Sequence, residues 1–369
     1  MRTVPTLAFA SALAISSSAV LAADLNVVTS IRPIDSIVQY VVGEHANTNV
    51  LVPANASPHN YALKPSDAKN LQQADVVFWV DETLEAFLEK AVTTLPQDAR
   101  IIALGEQEGL QILDTREIAL GAEGHEGEHD DHSHDEEHKD HDHEEHDHEE
   151  GHDHEEEHDH EEGHDHEEDH DHEKAHDHEE GHDDHAGHDH DGHEGHNHGE
   201  FDMHIWLSPE NAEKIAHIVA HTLGDVDPAN AAAYEANADK FAAELHKVTH
   251  EIEHKLEGAQ GKHFVTFHDA YQYFENHFGL ENAGVVTISP EVKPGAKRLV
   301  ELKEALATNE VACIFSEPQF DAKLVQLAIE GTNVKSAELD PLGLALKDGP
   351  NMYFDLLNSL ADSIQNCAS

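Results

Sequence analysis

The sequence predicts an α/β protein of two lobes, each built on a mostly parallel sheet, with one long stiff helix joining them. Three observations carry that expectation. Short runs rich in Val and Ile alternate with helical patterns, break off, and resume in the same rhythm further along. Between the two series lies the longest amphipathic pattern in the chain. A length of 369 residues also suffices for two domains that each bury a core.

Taken in order, LNVVTS (25–30) reads as a strand, and Ile34, Ile37, Val38 and Val41 follow at helical spacing up to Gly43. NVLVP (49–53), ADVVFWV (74–80) and RIIAL (100–104) continue the first series. A helix opening near Ser208-Pro209, with Ile215, Ile218, Val219 and Leu223 on one face, closes that lobe. The linking helix is expected over 227–257, with Asp227 as N-cap and Pro228 in the first helical position. Tyr234, Phe241, Leu245, Val248, Ile252 and Leu256 keep one apolar face along it for about 45 Å at 1.5 Å per residue. HFVTFH (263–268), AGVVTI (283–288), VACIFSE (311–317) and VKSAELD (334–340) are the strands of the second series. The expected organisation is a first lobe over 23–226, interrupted at 123–200, the linking helix, and a second lobe over 258–369.

Residues 1–22 have the layout of a secretory signal: one basic residue, an apolar stretch of small residues, and Val20-Leu21-Ala22 before the expected cut. No later stretch could cross a bilayer. Export would carry Cys313 and Cys367, the chain's two cysteines, into an oxidising compartment where they can pair. Closing that loop would stabilise by roughly 3 to 4 kcal/mol. Two separate buried thiols are the alternative.

The formal net charge of -56 excludes nucleic acids and anionic membrane surfaces as partners and favours cations. Much of that charge sits in the interruption, where 37 of the 77 acids and 26 of the 37 histidines fall, with Lys139 and Lys174 as its basic residues. Almost nothing in it can be buried, so it cannot offset an ordering cost of about 1 to 2 kcal/mol per residue. It reads as a disordered loop inserted in a folded lobe. Its repeat brings His146, His148, His152, His154, His158, His160, His164 and His166 together in His-Asp-His pairs. Imidazole is largely neutral near pH 7, so such pairs can grip Zn²⁺, Cu²⁺ or Ni²⁺. Each grip must order flexible chain, which makes the sites numerous, weak and poorly selective. A tract that only solvated the protein would need the acids alone.

Selective binding requires ligands held on rigid elements, so the eleven other histidines matter more. His246, His250 and His254 are spaced to chelate but lie off the apolar face, as a solvent-facing stripe; His217 and His221 read the same way. His45, His263 and His277 have no convergent partners. His59, in SPHNYALKPSD, and His268, at the end of HFVTFH, fall beyond the carboxyl ends of strands, where open α/β sheets bind ligands. His204, in DMHIWLSPENA, directly precedes a capped helix. Asp340, ending the last strand in AELDPLG, is a candidate fourth ligand. Two lobes each presenting a histidine to a shared cleft favour metal ligation over structural satisfaction.

At these residues the chain resembles the periplasmic metal-binding proteins of ABC importers, in the zinc and manganese cluster, and most closely its zinc-uptake branch. The resemblance rests on PHNYALKPSD, DMHIWLSPENA, FHDAYQYFE, EPQF and LDPLG, and it covers the mature chain outside the acidic tract. It implies two (β/α) lobes joined by a backbone helix, metal in the cleft between them, His59, His204 and His268 as ligands, and a Cys313–Cys367 disulfide. It implies a periplasmic monomer that delivers Zn²⁺ to a membrane permease driven by a cytoplasmic ATPase. Manganese members tend to carry a carboxylate at the third position; His268 stands here, and three imidazoles suit Zn²⁺ better than the harder Mn²⁺. Some zinc members have a glutamate before the first histidine, where this chain has Pro58. The fourth position is thus open between water and Asp340. Two rival functions remain: a periplasmic zinc buffer or chaperone without a transporter, and a zinc hydrolase, which would need a general base that no glutamate beside these ligands supplies.

Overall fold

The computed structural model describes residues 25–96, 98–116, 200–287, 290, 293–308 and 311–368. The expected signal segment 1–22 and the histidines of the acidic tract lie outside the described residues.

In the first lobe, β1 (Leu25–Thr29), β2 (Ala46–Val50), β3 (Val76–Trp79) and β4 (Arg100–Ala103) form one sheet in the order β2-β1-β3-β4. Every neighbouring pair in it is parallel. Helices α1 (Arg32–Val42), α2 (Pro65–Gln72) and α3 (Ala86–Thr94) make the crossovers. Ile34, Ile37, Val38 and Val41 of α1 are buried, as their spacing requires, and the helix stops at Gly43, whose φ of 58° suits a residue without Cβ. β2 lies about three residues earlier than the apolar run NVLVP suggests. At the sheet edge a half-buried polar strand suffices, and Leu51 and Val52 are buried beyond it, their amides donating to the carbonyls of Thr29 and Ser30.

The chain then forms β5 (Leu113–Asp114), which pairs antiparallel with β6 (Phe201–Asp202), and runs into α4 (Pro209–Val226). Ser208 caps α4 by accepting from the Asn211 amide at 3.1 Å. The linking helix α5 spans Ala231–Leu256, 26 residues or about 39 Å, and starts later than expected. Asp227 ends α4 and is not the cap of α5: its carboxylate accepts from Asn230 Nδ2 at 2.6 Å and the Tyr234 hydroxyl at 2.8 Å, which holds 227–230 as a turn. The expected apolar face of α5 is buried throughout, from Tyr234 to Leu256.

The second lobe repeats the first. Its strands β7 (His263–Thr266), β8 (Glu281–Val285), β9 (Val311–Ser316) and β10 (Lys335–Glu338) are all parallel, in the order β10-β9-β7-β8. Counted within the lobe, this is the same second-first-third-fourth arrangement. Helices α6 (Gln272–Phe278), α7 (Ala296–Thr308), α8 (Lys323–Ile329) and α9 (Met352–Ala368) complete it. A disulfide ties Cys367 of α9 to Cys313 of β9, with Cα atoms 5.6 Å apart.

One apolar cluster runs through both lobes, from Val27 and Ile34 through Phe241 and Leu245 of α5 to Leu357 and Ile364. α5 packs on α1 and α4 on one side and on α9 on the other. The lobes are thus tied along a shared core, which gives the stiffness expected of a helical link. Arg32, 7% exposed, adds a polar tie: its guanidinium donates to the carbonyls of Leu342, Gly343 and Leu346 and pairs with Asp348. No helix among the described residues is long and apolar enough to cross a membrane.

Candidate metal centre

Three loops bring one imidazole each to a common point. His59 follows β2 on a loop stiffened by Pro58 and Pro65, where the Ser57 hydroxyl accepts from the His59 amide at 3.3 Å. The same loop is tied by Asp67, whose carboxylate accepts from the Tyr61 hydroxyl at 2.9 Å and the Lys64 amide at 2.8 Å. His204 sits between β6 and a single 3-10 turn, Ile205–Leu207, that leads into α4. His268 lies just past β7, with its carbonyl accepting from the Thr266 hydroxyl at 3.0 Å.

One ring nitrogen from each of His59, His204 and His268 lies within 4.8 Å of the others. His204 and His268 are buried and His59 is half-buried. Two buried carboxylates orient the rings. Asp202 Oδ1 accepts from His204 Nδ1 at 2.8 Å, and Glu317 Oε1 accepts from His268 Nδ1 at 2.7 Å. An ionised carboxylate only accepts, so the proton sits on Nδ1 and each Nε2 carries its lone pair. Those two Nε2 atoms face each other at 3.4 Å. Nitrogens so placed need either a proton or a cation between them. Ligands of a tetrahedral zinc at about 2.0 to 2.1 Å stand about 3.3 to 3.4 Å apart, the observed separation.

The surrounding cavity, lined by residues including Trp206, Gln319, Phe320 and Leu342, is about 10 Å³, the space of one water-sized body. It fits a bare ion with a small fourth ligand.

Asp340 is not part of this group. Its Oδ1 accepts from Gln319 Nε2 at 2.9 Å and the Leu342 amide at 3.0 Å, and its Oδ2 accepts from the Leu344 amide. The carboxylate is committed to shaping the loop after β10. What the sequence reading passed over were Asp202 and Glu317, although both lie in quoted motifs or beside them: Asp202 two residues before His204, and Glu317 opening EPQF. A carboxylate two residues from a histidine is a usable signal; one 49 residues away is not.

The remaining histidines behave as their spacing suggested. His246, His250 and His254 are exposed on α5, paired with Glu213, Glu253 and Glu257. His217 and His221 lie 3.9 Å from Glu235 and Asp225, and His45 packs edge-on against Tyr234. His277 and His263 do have partners, Glu210 at 2.6 Å and Glu281 at 3.5 Å.

Comparison with known proteins gives a consistent picture. The family model for the zinc-uptake complex component A, periplasmic, matches residues 27–367. A Brucella suis relative described as the high-affinity zinc uptake system protein ZnuA is 43% identical over 343 residues, covering 93% of this chain and 91% of the relative. The corresponding Yersinia pestis protein is 34% identical over 343 residues, covering 92% and 90%. These relatives are zinc-uptake proteins and not enzymes. Among solved structures, a ZnuA crystal structure superposes with a TM-score of 0.65 at 20% identity, covering 94% of this chain and all of that one. A zinc-bound ZnuA variant lacking its residues 138 to 173 gives 0.64 at 20% identity, covering 94% and 99%. The chain therefore belongs to the ZnuA family, the periplasmic, zinc-binding components of zinc-uptake complexes.

Proposed function

We propose that the protein captures one Zn²⁺ between its lobes, on His59, His204 and His268, and delivers it to the permease of an ABC importer powered by a cytoplasmic ATPase. The observation that carries the reading is the pair of Nε2 atoms 3.4 Å apart, each ring held by a carboxylate at its far nitrogen. Neutral imidazoles select a borderline metal such as Zn²⁺ over Mg²⁺, Ca²⁺ or Mn²⁺. With Asp340 committed elsewhere, water completes the tetrahedron. Protons compete for the same nitrogens, so affinity falls as pH drops through the histidine range.

The acidic tract ends next to β6, four residues from His204. In this reading it collects zinc weakly and at high local concentration beside the tight site. One feature favours a delivery protein over a free-standing buffer: the family belongs to zinc-uptake complexes.

The experiment is a zinc titration of the metal-free mature chain against a competing chelator, with His59→Ala, His204→Ala and His268→Ala, and with residues 123–200 deleted. Each alanine variant should lose the tight site and keep the weak ones. The deletion should lower stoichiometry and spare one tight site. A tight site that disappeared with the tract, or that survived all three alanine changes, would overturn the assignment.

A further inference from the structure

Outside the cleft, the solvent face of α5 repeats the chemistry of the cleft in a simpler form. His250 and His254 stand one helical turn apart on the same face, the spacing at which two imidazoles can share one ion. Their rings have turned toward each other, with centroids 4.6 Å apart and planes inclined at 64°. Each ring directs Nδ1 to a carboxylate three residues on: His250 to Glu253 at 3.2 Å and His254 to Glu257 at 2.9 Å. As in the cleft, that assignment puts the proton on Nδ1 and the lone pair on Nε2.

His246, the third member of the stripe, differs. Its Nε2 is the nitrogen engaged, with Glu213 at 2.8 Å, so its outer nitrogen is already used. The flanking cations are drawn away as well: Lys247 pairs with Glu244 at 2.9 Å and Lys255 with Asp362 at 2.6 Å. What remains is a bis-imidazole pair backed by two carboxylates and open to solvent.

We propose that His250 and His254 form a second metal site, on the outer face of α5, that binds a single borderline divalent cation of the Zn²⁺, Cu²⁺ or Ni²⁺ type. Two protein ligands leave the other positions to water, so the ion is held less tightly than by three histidines and exchanges readily. The site is separate from the cleft residues, and it is already ordered on a helix, so binding need not first order the chain.

The test is histidine footprinting of the full mature chain with diethyl pyrocarbonate during a ZnCl₂ titration. Trypsin cutting after Lys247 and Lys255 releases Val248–Lys255, which carries both residues on one peptide. Zinc added beyond the first equivalent should slow labelling of His250 and His254 together, at least tenfold at saturation. His254→Gln should return His250 to its metal-free rate, and His246→Gln should leave its protection intact. His59→Ala should also leave that protection intact, which separates failure of the cleft assignment from failure of this one. Both substituted α5 positions are exposed, and far-ultraviolet circular dichroism checks that the helix persists. The proposal is overturned if His250 and His254 keep their metal-free rates at zinc concentrations that protect the tract, or if His250 stays protected in the His254→Gln protein.

Discussion

Replacing Glu317 with glutamine isolates what the buried carboxylate contributes to zinc binding, because the shape of the side chain changes little while its charge is lost. Glu317 is 2% exposed and His268 4% exposed, and their contact at 2.7 Å is a charge-assisted hydrogen bond out of water. The carboxylate can only accept, so it holds the proton on Nδ1 and keeps the Nε2 lone pair aimed at the ion. Glutamine removes the negative charge, and with it the basicity that the carboxylate lends the ring, and it can present its NH₂ to Nδ1. That second orientation moves the ring proton to Nε2 and blocks ligation. Removing such a partner typically weakens metal binding by about 10 to 100-fold, or about 1.4 to 2.7 kcal/mol. The assay is competition with a chromophoric zinc chelator at pH 7, read as the dissociation constant of the tight site. Asp340→Asn is the matched comparison, and its tight site should stay within about threefold of the parent, because that carboxylate serves the loop after β10. An unchanged affinity in the Glu317→Gln protein would refute the argument that the carboxylate sets the ring's proton.

Three further outcomes are expected. Trp206 is fully buried, lines the cavity and lies 5.3 Å from the His204 ring, so its fluorescence should report filling of the tight site; Trp206→Phe should abolish that signal, and a signal left intact would assign it to Trp79. Removing the disulfide with Cys313→Ala and Cys367→Ala releases a loop of 54 residues and should cost about 4 kcal/mol in denaturant unfolding; an unchanged midpoint would contradict this. Glu85 is buried in the first lobe, and burial raises its carboxyl from 4.5 to about 8 against the opposing bond that the Val80 amide donates to it. The folded state therefore keeps a proton that the unfolded chain releases, so this contribution is full below about pH 4.5 and is lost as pH rises through about 8. Glu85→Gln should flatten the stability profile across that window by on the order of a few kcal/mol, and an unchanged profile would count against the buried acid.

The inner strands β1, β3, β7 and β9 were legible because each is a short apolar run largely buried in a parallel sheet, and α5 was legible because its apolar face keeps helical spacing for seven turns. β2 was displaced because an edge strand is only half buried and its polar residues carry no such pattern. The start of α5 was misplaced because an aspartate before a proline is as good a turn as a cap, and only the bonds from Asn230 and Tyr234 to Asp227 distinguish them.

By itself the sequence determined that there are two α/β lobes on a stiff link, that cations are the natural ligands, and that three histidines outside the repeat are the ones to watch. Those are properties of composition and of spacing along the chain. Tertiary structure alone decided that the three imidazoles meet, since residues 59, 204 and 268 converge only when β2, β6 and β7 have found their places. It also decided which carboxylates serve them. Asp340 ends a strand in the same manner as His268, yet the fold turns its oxygens to backbone amides and gives the ring of His268 to Glu317, because hydrogen-bond partners are chosen by distance in space and not along the chain.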